Sequence, residues 1–249
     1  MDAPSPYQRV LLKISGESFC KRGEMGITPD SLSHIASEIV EAAQSGVQIA
    51  VVTGGGNMIR GADLSAKLAI DQSTTDYMGM LGTVMNGMAL KERLEQLGQP
   101  ARLMSAIDLP ALAESFVRKR ALRHFEKGRI VILAAGTGNP FFTTDTCASL
   151  RATELNCDVL LKGTKVDGIY SEDPAKNPDA KRYETLSFRE AVDKQLGVMD
   201  ITAMSMCMEQ NLPIVVFNYQ DAGNIRSVVQ GEQIGTTVSK NGAIQVATT

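Results

Sequence analysis

Three consecutive glycines, Gly54, Gly55 and Gly56, stand directly after an apolar run that ends at Thr53. Glycine adopts positive φ angles easily and lets backbone N–H groups approach an anion closely. Arg60 follows, and a guanidinium can donate two parallel hydrogen bonds to phosphate oxygens. The pattern predicts an anion-binding loop, although a tight strand-to-helix turn would need the same residues. It matches neither GxGxxG nor GxxxxGK[ST], so it indicates neither a Rossmann dinucleotide site nor a P-loop.

Two further segments place lysines after apolar runs. Residues 13–16 (KISG) combine a cation with small residues, which together with the glycine loop predicts a second part of a polyphosphate cradle. An exposed surface lysine is the alternative. Residues 162–170 (KGTKVDGIY) are followed by Asp173 and offer lysines for charge neutralisation and Tyr170 as a platform for a base. A plain polar loop is the alternative there.

The stretch 136–145 (GTGNPFFTTD) carries the most information. Thr137 and Asn139 can exchange hydrogen bonds with a base or a sugar. The residues TTD suit a helix N-terminus, whose free N–H groups and positive dipole end favour an anion. A capped helix after a turn explains TTD but not the length of the loop or the exposed Phe141-Phe142 pair.

Other kinds of chemistry are disfavoured by the residue counts. The chain has only two histidines, His34 and His124, and neither lies near a serine or cysteine nucleophile motif. None of the four cysteines forms a CxxC pair, which excludes a zinc ribbon or a thioredoxin-like motif. Such scattered cysteines are typical of small buried hydrophobic residues.

Strand and helix patterns alternate along the chain and must position these loops. Strands are predicted over 9–14, 47–53, 101–106, 129–135, 158–162 and 213–218, with an edge strand over 236–240. Helices are predicted from a cap at Asp30 or Ser31 to Gly46, and over 76–97, 110–126, 143–156, 187–196, 200–211 and 222–230. This alternation predicts an open, mostly parallel sheet with helices on both faces, a three-layer α/β/α fold. Ligands bind beyond the carboxyl ends of such strands, where all four loops lie.

Composition sets the broad class. The 249 residues include 25 Lys and Arg against 28 Asp and Glu, a net charge of −3, which argues against a nucleic-acid or anionic-membrane partner. The longest apolar run, residues 130–135, is far shorter than the ~20 residues of a membrane helix. The N-terminus shows no secretory signal pattern. We expect a cytoplasmic protein with one domain over 1–249.

Six segments together resemble the bacterial uridylate kinases (UMP kinases) of the amino acid kinase family. They are KISGE, GGGNMIRG, DYMGMLGTVMNG, GTGNPFFTTD, LLKGTKVDGIYSEDP and VMD, in order from residue 9 to about 230. GTGNPFFTTD points to the nucleoside monophosphate kinase branch. The resemblance implies an amino acid kinase-like fold and phosphorylation of UMP to UDP by ATP and Mg²⁺ in pyrimidine nucleotide biosynthesis. Gly163 departs from the alanine more common in the family, a small residue for a small one.

The resemblance also implies roles for residues at matching motif positions. It implies ATP binding by Lys13, Ile14, Ser15, Gly16, Gly56, Arg60, Thr164, Tyr170 and Asp173. It implies UMP binding by Gly55, Asp76, Thr137, Gly138, Asn139, Pro140, Phe141, Phe142, Thr143 and Thr144. The implied catalytic residues are Lys13, Arg60, Asp145, Lys162 and Asp200.

Some of these roles leave alternatives open. Asp145 and Asp200 would organise the metal or the lysines, and Asp200 equally fits a helix N-cap before ITAMSM. No protein ligand for Mg²⁺ is assigned, since the ion is expected mainly on the ATP phosphates. Two rival functions remain: a kinase of another small acceptor on the same scaffold, and a uridine-nucleotide sensor without turnover.

Assembly and regulation are also implied by the resemblance. The 76–97 helix carries methionines and glycines on several faces, Met78, Gly79, Met80, Gly82, Met85, Gly87 and Met88, and family members are homohexamers, so we expect a homohexamer. A helix packed wholly within one chain is the alternative. GTP or UTP are possible allosteric ligands, near Lys91, Glu92 and Arg102, whose plainer interpretation is exposed surface charge.

Overall fold

The strands that form the centre of the sheet are runs of aliphatic residues buried on both faces. A computed structural model describes residues 5–21, 23–59, 69–197, 199–243 and 245–246. Within them, ten strands form one sheet in the order β10-β7-β9-β8-β6-β1-β2-β5-β3-β4. The strands are β1 (Arg9–Ile14), β2 (Gln48–Thr53), β3 (Ala101–Ser105), β4 (Glu114–Ser115), β5 (Ile130–Ala134), β6 (Val159–Thr164), β7 (Tyr183–Ser187), β8 (Ile214–Asn218), β9 (Thr236–Ser239) and β10 (Gln245–Val246).

The helices cover both faces of this sheet. They are α1 (Pro29–Ala43), α2 (Gln72–Gln96), α3 (Arg118–Glu126), α4 (Thr144–Glu154), α5 (Phe188–Asp193), α6 (Ile201–Gln210) and α7 (Asn224–Val229), with a short 3₁₀ helix at Gly16–Phe19. Helices α1, α2 and α7 share one hydrophobic core with the sheet, and α3, α4, α5 and α6 share the other. Strands from β4 to β8 in the sheet order are parallel, so the predicted open, mostly parallel fold with helices on both faces is confirmed.

The predicted helix over 110–126 is wrong in its first half. Helix α3 begins only at Arg118. Before it, β4 pairs in parallel with the end of β3, and the N–H of Phe116 donates to the carbonyl of Ser105. Residues 114–116 therefore satisfy backbone hydrogen bonds against β3, and before them the N–H groups of Leu112 and Ala113 donate to the carbonyl of Leu109 in a turn.

The end of the chain also differs from the expectation. The predicted edge strand, β9, lies between β7 and β8, antiparallel to β8 and parallel to β7. Neither β7 nor β10 was predicted. Strand β7 (YETLS) is polar and partly exposed, so its sequence lacks the apolar run that marks the central strands.

Two helices begin earlier in the chain than predicted. Helix α1 begins at Pro29 after Thr28, not after Asp30 or Ser31. Proline suits a first helical position because its missing N–H would have no partner there. Helix α2 begins at Gln72, where the side chain of Asp71 accepts from the N–H of Ser73. No described helix is long and apolar enough to cross a membrane.

Candidate active site

Two lysines lie side by side at the carboxyl ends of the central strands. The parallel register of β1 and β6 pairs Lys13 with Lys162. Side chains alternate between the two faces of a strand, so Lys13 shares a face with Leu11 and Lys162 shares a face with Leu160. Leu11 and Leu160 belong to the core that α3, α4, α5 and α6 cover. The two ammonium groups therefore lie on the same face of the sheet, beneath the start of α4.

Asp145 joins the two lysines from the first turn of α4. Its Oδ1 lies 2.8 Å from Nζ of Lys13 and its Oδ2 lies 2.7 Å from Nζ of Lys162. The side chains are at most 15% exposed. Thr143 caps the helix by accepting from the N–H groups of Asp145 and Thr146, which fixes the first turn that carries the carboxylate.

The charges of this cluster depend on one another. Burial by itself raises the pKa of the Asp145 carboxyl, but the charges of Lys13 and Lys162 outweigh it and hold that pKa below its usual value. Burial also lowers the pKa of Lys162, and Asp145 opposes that effect. These three side chains alone carry one net positive charge, which suits an anion whose charge develops during a reaction, and the Asp200 carboxylate acts on Lys162 from nearby.

Asp200 lies close to this cluster and fixes the start of two helices. Its side chain accepts from the N–H of Ala203 and so caps α6. It also accepts from the hydroxyl of Thr143, and from that of Thr146 at 3.1 Å. The geometry gives Asp200 the N-cap role left open above and adds a tie to the first turn of α4.

The glycine turn lies between β1 and α2. The N–H of Gly54 donates to the carbonyl of Ile14 at 2.9 Å. A Cβ atom on Gly54 would lie 2.6 Å from the nitrogen of Gly16, and one on Gly55 would lie 2.3 Å from the carbonyl oxygen of Gly79. Close packing therefore requires these two glycines. A Cβ on Gly56 would meet nothing within 4 Å, and this residue faces solvent.

A cavity of about 290 Å³ collects most of the residues expected to bind UMP. Its lining includes Gly55, Asp76, Thr137, Phe142, Thr143 and Thr144. Gly56, expected on the ATP side, lines this cavity too. Gly138, Asn139, Pro140 and Phe141 belong to the same loop but are not part of this lining.

Asp76 connects α2 to that loop. Its Oδ2 accepts from the N–H of Phe141 at 2.8 Å, and Phe141 has a positive φ of 69°. The side chains of Phe141 and Phe142 are 68% and 50% exposed. Thr137 and Asn139 hydrogen-bond to each other within the loop. The loop thus presents two aromatic rings to solvent on a backbone held by the Asp76 carboxylate.

A second cavity, of about 400 Å³, collects residues expected to bind ATP. Thr164, Tyr170 and Asp173 line it, together with Lys162, which was expected as a catalytic residue. Tyr170 donates to Asp167 at 2.6 Å, and this hydrogen bond raises the pKa of its phenol. Four more expected ATP residues lie at the end of β1 and the start of the 3₁₀ helix: Lys13, Ile14, Ser15 and Gly16. Arg60 lies outside the described residues.

The chain is similar to known proteins both in sequence and in structure. Residues 8–218 match the model of the amino acid kinase family. The chain belongs to the amino acid kinase family. A solved UMP kinase from Bacillus anthracis is similar at 36% identity and a TM-score of 0.94, over 98% of this chain and 100% of that one.

Two further solved structures are similar to this amino acid kinase. A UMP kinase from Ureaplasma parvum shares 35% identity over 94% of this chain and 99% of that one, with a TM-score of 0.88. A uridylate kinase from Archaeoglobus fulgidus shares 25% identity over 92% and 99%, with a TM-score of 0.70. The resemblance to the uridylate kinases noted in the sequence is confirmed.

The site of this kinase contains no activated thiol among the residues described. Burial raises the pKa of Cys147 and of Cys207 to about 11, so both thiols stay protonated near neutral pH. The described ranges also contain no group of three or more His, Cys, Asp or Glu side chains placed to hold a metal ion. What the site offers is positive charge, backbone amides and hydroxyl groups.

Sequence reasoning missed several residues that shape the site. Thr146 shares Asp200 with Thr143, and Asn57 and Asn86 form a buried carboxamide pair behind the glycine turn. Asn86 had a detectable signal, because it is a polar residue among the apolar positions of a long helix. Thr146 had none, since a threonine in a first helical turn is unremarkable.

Replacing Asp145 with asparagine is expected to destabilise the fold by ~3 kcal/mol at pH 7, because two buried lysines lose their shared carboxylate. Since the pKa of Asp145 is lowered by folding, its stabilisation is complete above the unfolded value of about 3.9 and is lost as the pH falls through the folded value. Urea unfolding at pH 7 and from pH 5 to 3 should show the gap between wild type and Asp145→Asn narrowing in acid.

The matched control is Asp193→Asn, which removes an exposed carboxylate 3.7 Å from Arg189. It should change stability by less than about 1 kcal/mol at every pH. An Asp145→Asn protein as stable as wild type at pH 7 would contradict the assigned ion cluster.

Proposed function

We propose that this chain transfers the γ-phosphoryl group of ATP to the phosphate of UMP, forming ADP and UDP. The observation that carries the proposal is the Lys13–Asp145–Lys162 cluster and its place beside two cavities. Lys162 lines the cavity with the expected ATP residues. Thr143 and Thr144, which directly precede Asp145, line the cavity with the expected UMP residues.

The cluster acts on the transferred phosphoryl group through charge. Phosphoryl transfer needs two anionic substrates held in line, with the charge on the equatorial oxygens neutralised. Asp145 holds both ammonium groups at hydrogen-bond distance and so fixes their positions before substrate arrives. Lys13 and Lys162 then donate to phosphoryl oxygens, together with the backbone N–H of the exposed Gly56. Arg60 is proposed to add a guanidinium.

The acceptor phosphate supplies its own nucleophile. A nucleoside monophosphate is already ionised near neutral pH, so no side chain has to remove a proton. In the acceptor cavity, Asp76 is proposed to bind the ribose hydroxyls in exchange for the N–H of Phe141. Thr137 and Asn139 are proposed to read the uracil edge.

Mg²⁺ is proposed to enter with ATP. The oxygens of Asp145 face the two lysines and those of Asp200 face hydroxyl groups, so neither carboxylate belongs to a ready metal cage in the described chain. This donor set fits an ion held mainly by phosphate oxygens and water. When bound, the ion supplies further neutralisation of the ATP phosphates.

Both halves of the chain are proposed to act as one domain. The acceptor residues, up to Asp145, come from β2, α2 and the loop after β5. The donor residues come mainly from the loop after β6, and β1 serves both sides. We propose that the reaction supplies UDP for pyrimidine nucleotide synthesis in the cytoplasm.

A homohexamer is proposed from the exposed face of α2. Tyr77, Leu81, Met85 and Met88 form an exposed apolar stripe along one face of this helix. Three of the residues expected on subunit faces lie outside this stripe. Met80 is buried. Gly82 packs against Gly55, and Gly87 packs against Leu103. The stripe is an apolar surface of the kind that copies of a chain bury against each other.

A regulatory nucleotide such as GTP or UTP is proposed to bind near Lys91 and Arg102. Both residues line a cavity of about 450 Å³ together with Arg120. Glu95 lies 2.7 Å from Lys91 and 3.2 Å from Arg102, so these cations are partly neutralised in the free chain. Glu114 also lines the cavity, 3.8 Å from Arg102, so a polyphosphate would have to compete with carboxylates for these three cations.

The acceptor assay tests the proposed function directly. ATP consumption should require UMP, and CMP should be used at least ~10³-fold less well in kcat/KM, because a hydrogen-bonding site that fits uracil strands its polar groups on cytosine. Aspartate and glutamate should not be phosphorylated. Equal use of CMP and UMP would remove the base-reading role of Thr137 and Asn139, and turnover with a carboxylate acceptor alone would overturn the proposal.

Removing one cation should reduce turnover without unfolding the chain. Lys13→Ala is expected to lower kcat by ~10²–10³, the usual effect of losing one preorganised donor. Lys240→Ala, which removes an exposed lysine after β9, should leave kcat unchanged. A folded Lys13→Ala enzyme with normal kcat would exclude Lys13 from the transfer step.

Light scattering tests the assembly. The mass in solution should be six times the 26.8 kDa of one chain. Placing charge in the stripe with Met85→Glu should dissociate the oligomer, whereas Lys240→Glu should leave its mass unchanged. A wild-type protein of monomer mass at micromolar concentration would exclude the hexamer.

A further inference from the structure

Two buried carboxamides bond to each other behind the glycine turn. Nδ2 of Asn86 donates to Oδ1 of Asn57 at 2.7 Å, and Nδ2 of Asn57 donates to Oδ1 of Asn86 at 3.0 Å. Asn57 is 2% exposed and Asn86 is fully buried. Each amide therefore serves the other as both donor and acceptor, in a place closed to solvent.

The remaining N–H of each amide binds the backbone. Nδ2 of Asn86 donates to the carbonyl of Gly54, and Nδ2 of Asn57 donates to the carbonyl of Gly26, both at 2.7 Å. All four side-chain N–H groups are used and both side-chain oxygens accept. Because both outer partners are carbonyls, the orientation of each amide is determined, and a leucine, an aspartate or a glutamine would break the arrangement.

The pair connects the turn to three other parts of the chain. Asn86 belongs to α2, and Asn57 directly follows Gly56. A Cβ on Gly16, which follows the end of β1, would lie 2.7 Å from Oδ1 of Asn57. The N–H of Gly26 donates to the carbonyl of Asn57 at 2.8 Å, so this loop is held on both sides.

The turn held in this way carries amides that the proposed transfer uses. Gly55 lines the acceptor cavity, and the exposed Gly56 has its backbone next to Asn57. The three glycines give the turn no side chains of its own, so its position depends on the residues packed around it. An unsatisfied carbonyl at Gly54 would leave the turn free to relax away from α2.

We propose that Asn57 and Asn86 are positioning residues for phosphoryl transfer: as one unit, they set the glycine turn so that its amides meet the transferred group. This inference rests on the proposed function. Neither side chain touches substrate, because both are buried behind the turn. Misplacing a reacting geometry by about 1 Å costs ~10² in rate, so the effect falls on turnover more than on nucleotide binding.

The experiment is a double-mutant cycle on turnover per site. Asn57→Ala, Asn86→Ala and the double variant are assayed with UMP and ATP, and active sites are counted by calorimetric titration with each nucleotide. Dividing the rate by the number of sites that bind nucleotide distinguishes a folded enzyme with slow turnover from a preparation that is partly unfolded. The matched control is Leu94→Ala, a fully buried position two turns further along α2 that does not contact the glycine turn.

Each single variant is expected to lower kcat per site by about 10- to 100-fold, with nucleotide dissociation constants changed less than about threefold. The double variant should lose no more than either single one, since removing one amide already releases the turn. Leu94→Ala should lower the melting temperature at least as much and keep wild-type kcat per site. Where an alanine variant does not fold, the serine variants at the same positions give the same comparison.

Wild-type kcat per site in both single variants would overturn the inference, and so would effects that multiply in the double variant. A comparable loss of kcat per site in Leu94→Ala would also overturn it, because the effect would then follow stability alone. Failure of the wild type to phosphorylate UMP is a different result. If another acceptor is used, the same cycle is run with that acceptor, and if none is used, the proposed function and the positioning role fall together.

Discussion

Two lysines buried side by side can be tolerated only with a carboxylate between them. The register of β1 and β6 places Lys13 opposite Lys162, so neither side chain can avoid the other. Asp145 resolves this repulsion with one oxygen for each ammonium group. Much of the surrounding structure serves that carboxylate: Thr143 caps the helix that carries it, and Asp200 accepts from the Thr143 hydroxyl.

A site built in this way acts through position and charge. The described residues around the cluster include no thiol poised to ionise, and no histidine lines either of the two cavities beside it. Phosphoryl transfer between two ionised phosphates does not need such a group, because the protein mainly holds the reactants and neutralises charge. The described lining of the two cavities and the Lys13–Asp145–Lys162 cluster both suit a reaction that depends on position and charge.

The sequence predicts the central half of the fold well because the aliphatic runs of β1, β2, β5, β6 and β8 are buried on both faces and leave a strong pattern. Strands β7 and β10 escape prediction because their stability comes from pairing with distant segments rather than from their own composition. Helix α3 was predicted too long because polar and apolar residues before it also fit a helical pattern, whereas their backbone forms a turn and then pairs with β3.

The candidate site divides in the same way, into features that the local sequence predicts and features that depend on distant segments. The glycine turn and the lysines were found from composition and position after strands, and the TTD helix start from its cap chemistry. The resemblance left open whether Asp145 organises the metal or the lysines, and its contact with both lysines became visible only with the register of β1 and β6, a long-range fact. The Asn57–Asn86 pair joins residues on different elements, so no local pattern could have paired them.

The order of the strands separates the elements that line the two cavities. β1 stands between β6, whose loop reaches the proposed donor cavity, and β2, whose glycine turn reaches the proposed acceptor cavity. The loop that lines the proposed acceptor cavity follows β5, one strand further out, and leads to Asp145, its one contribution to the charged cluster. The residues of that loop that precede Thr143, the cap of α4, can therefore diverge without disturbing the lysines. A fold arranged like this can exchange one phosphate acceptor for another during evolution while its donor half stays the same.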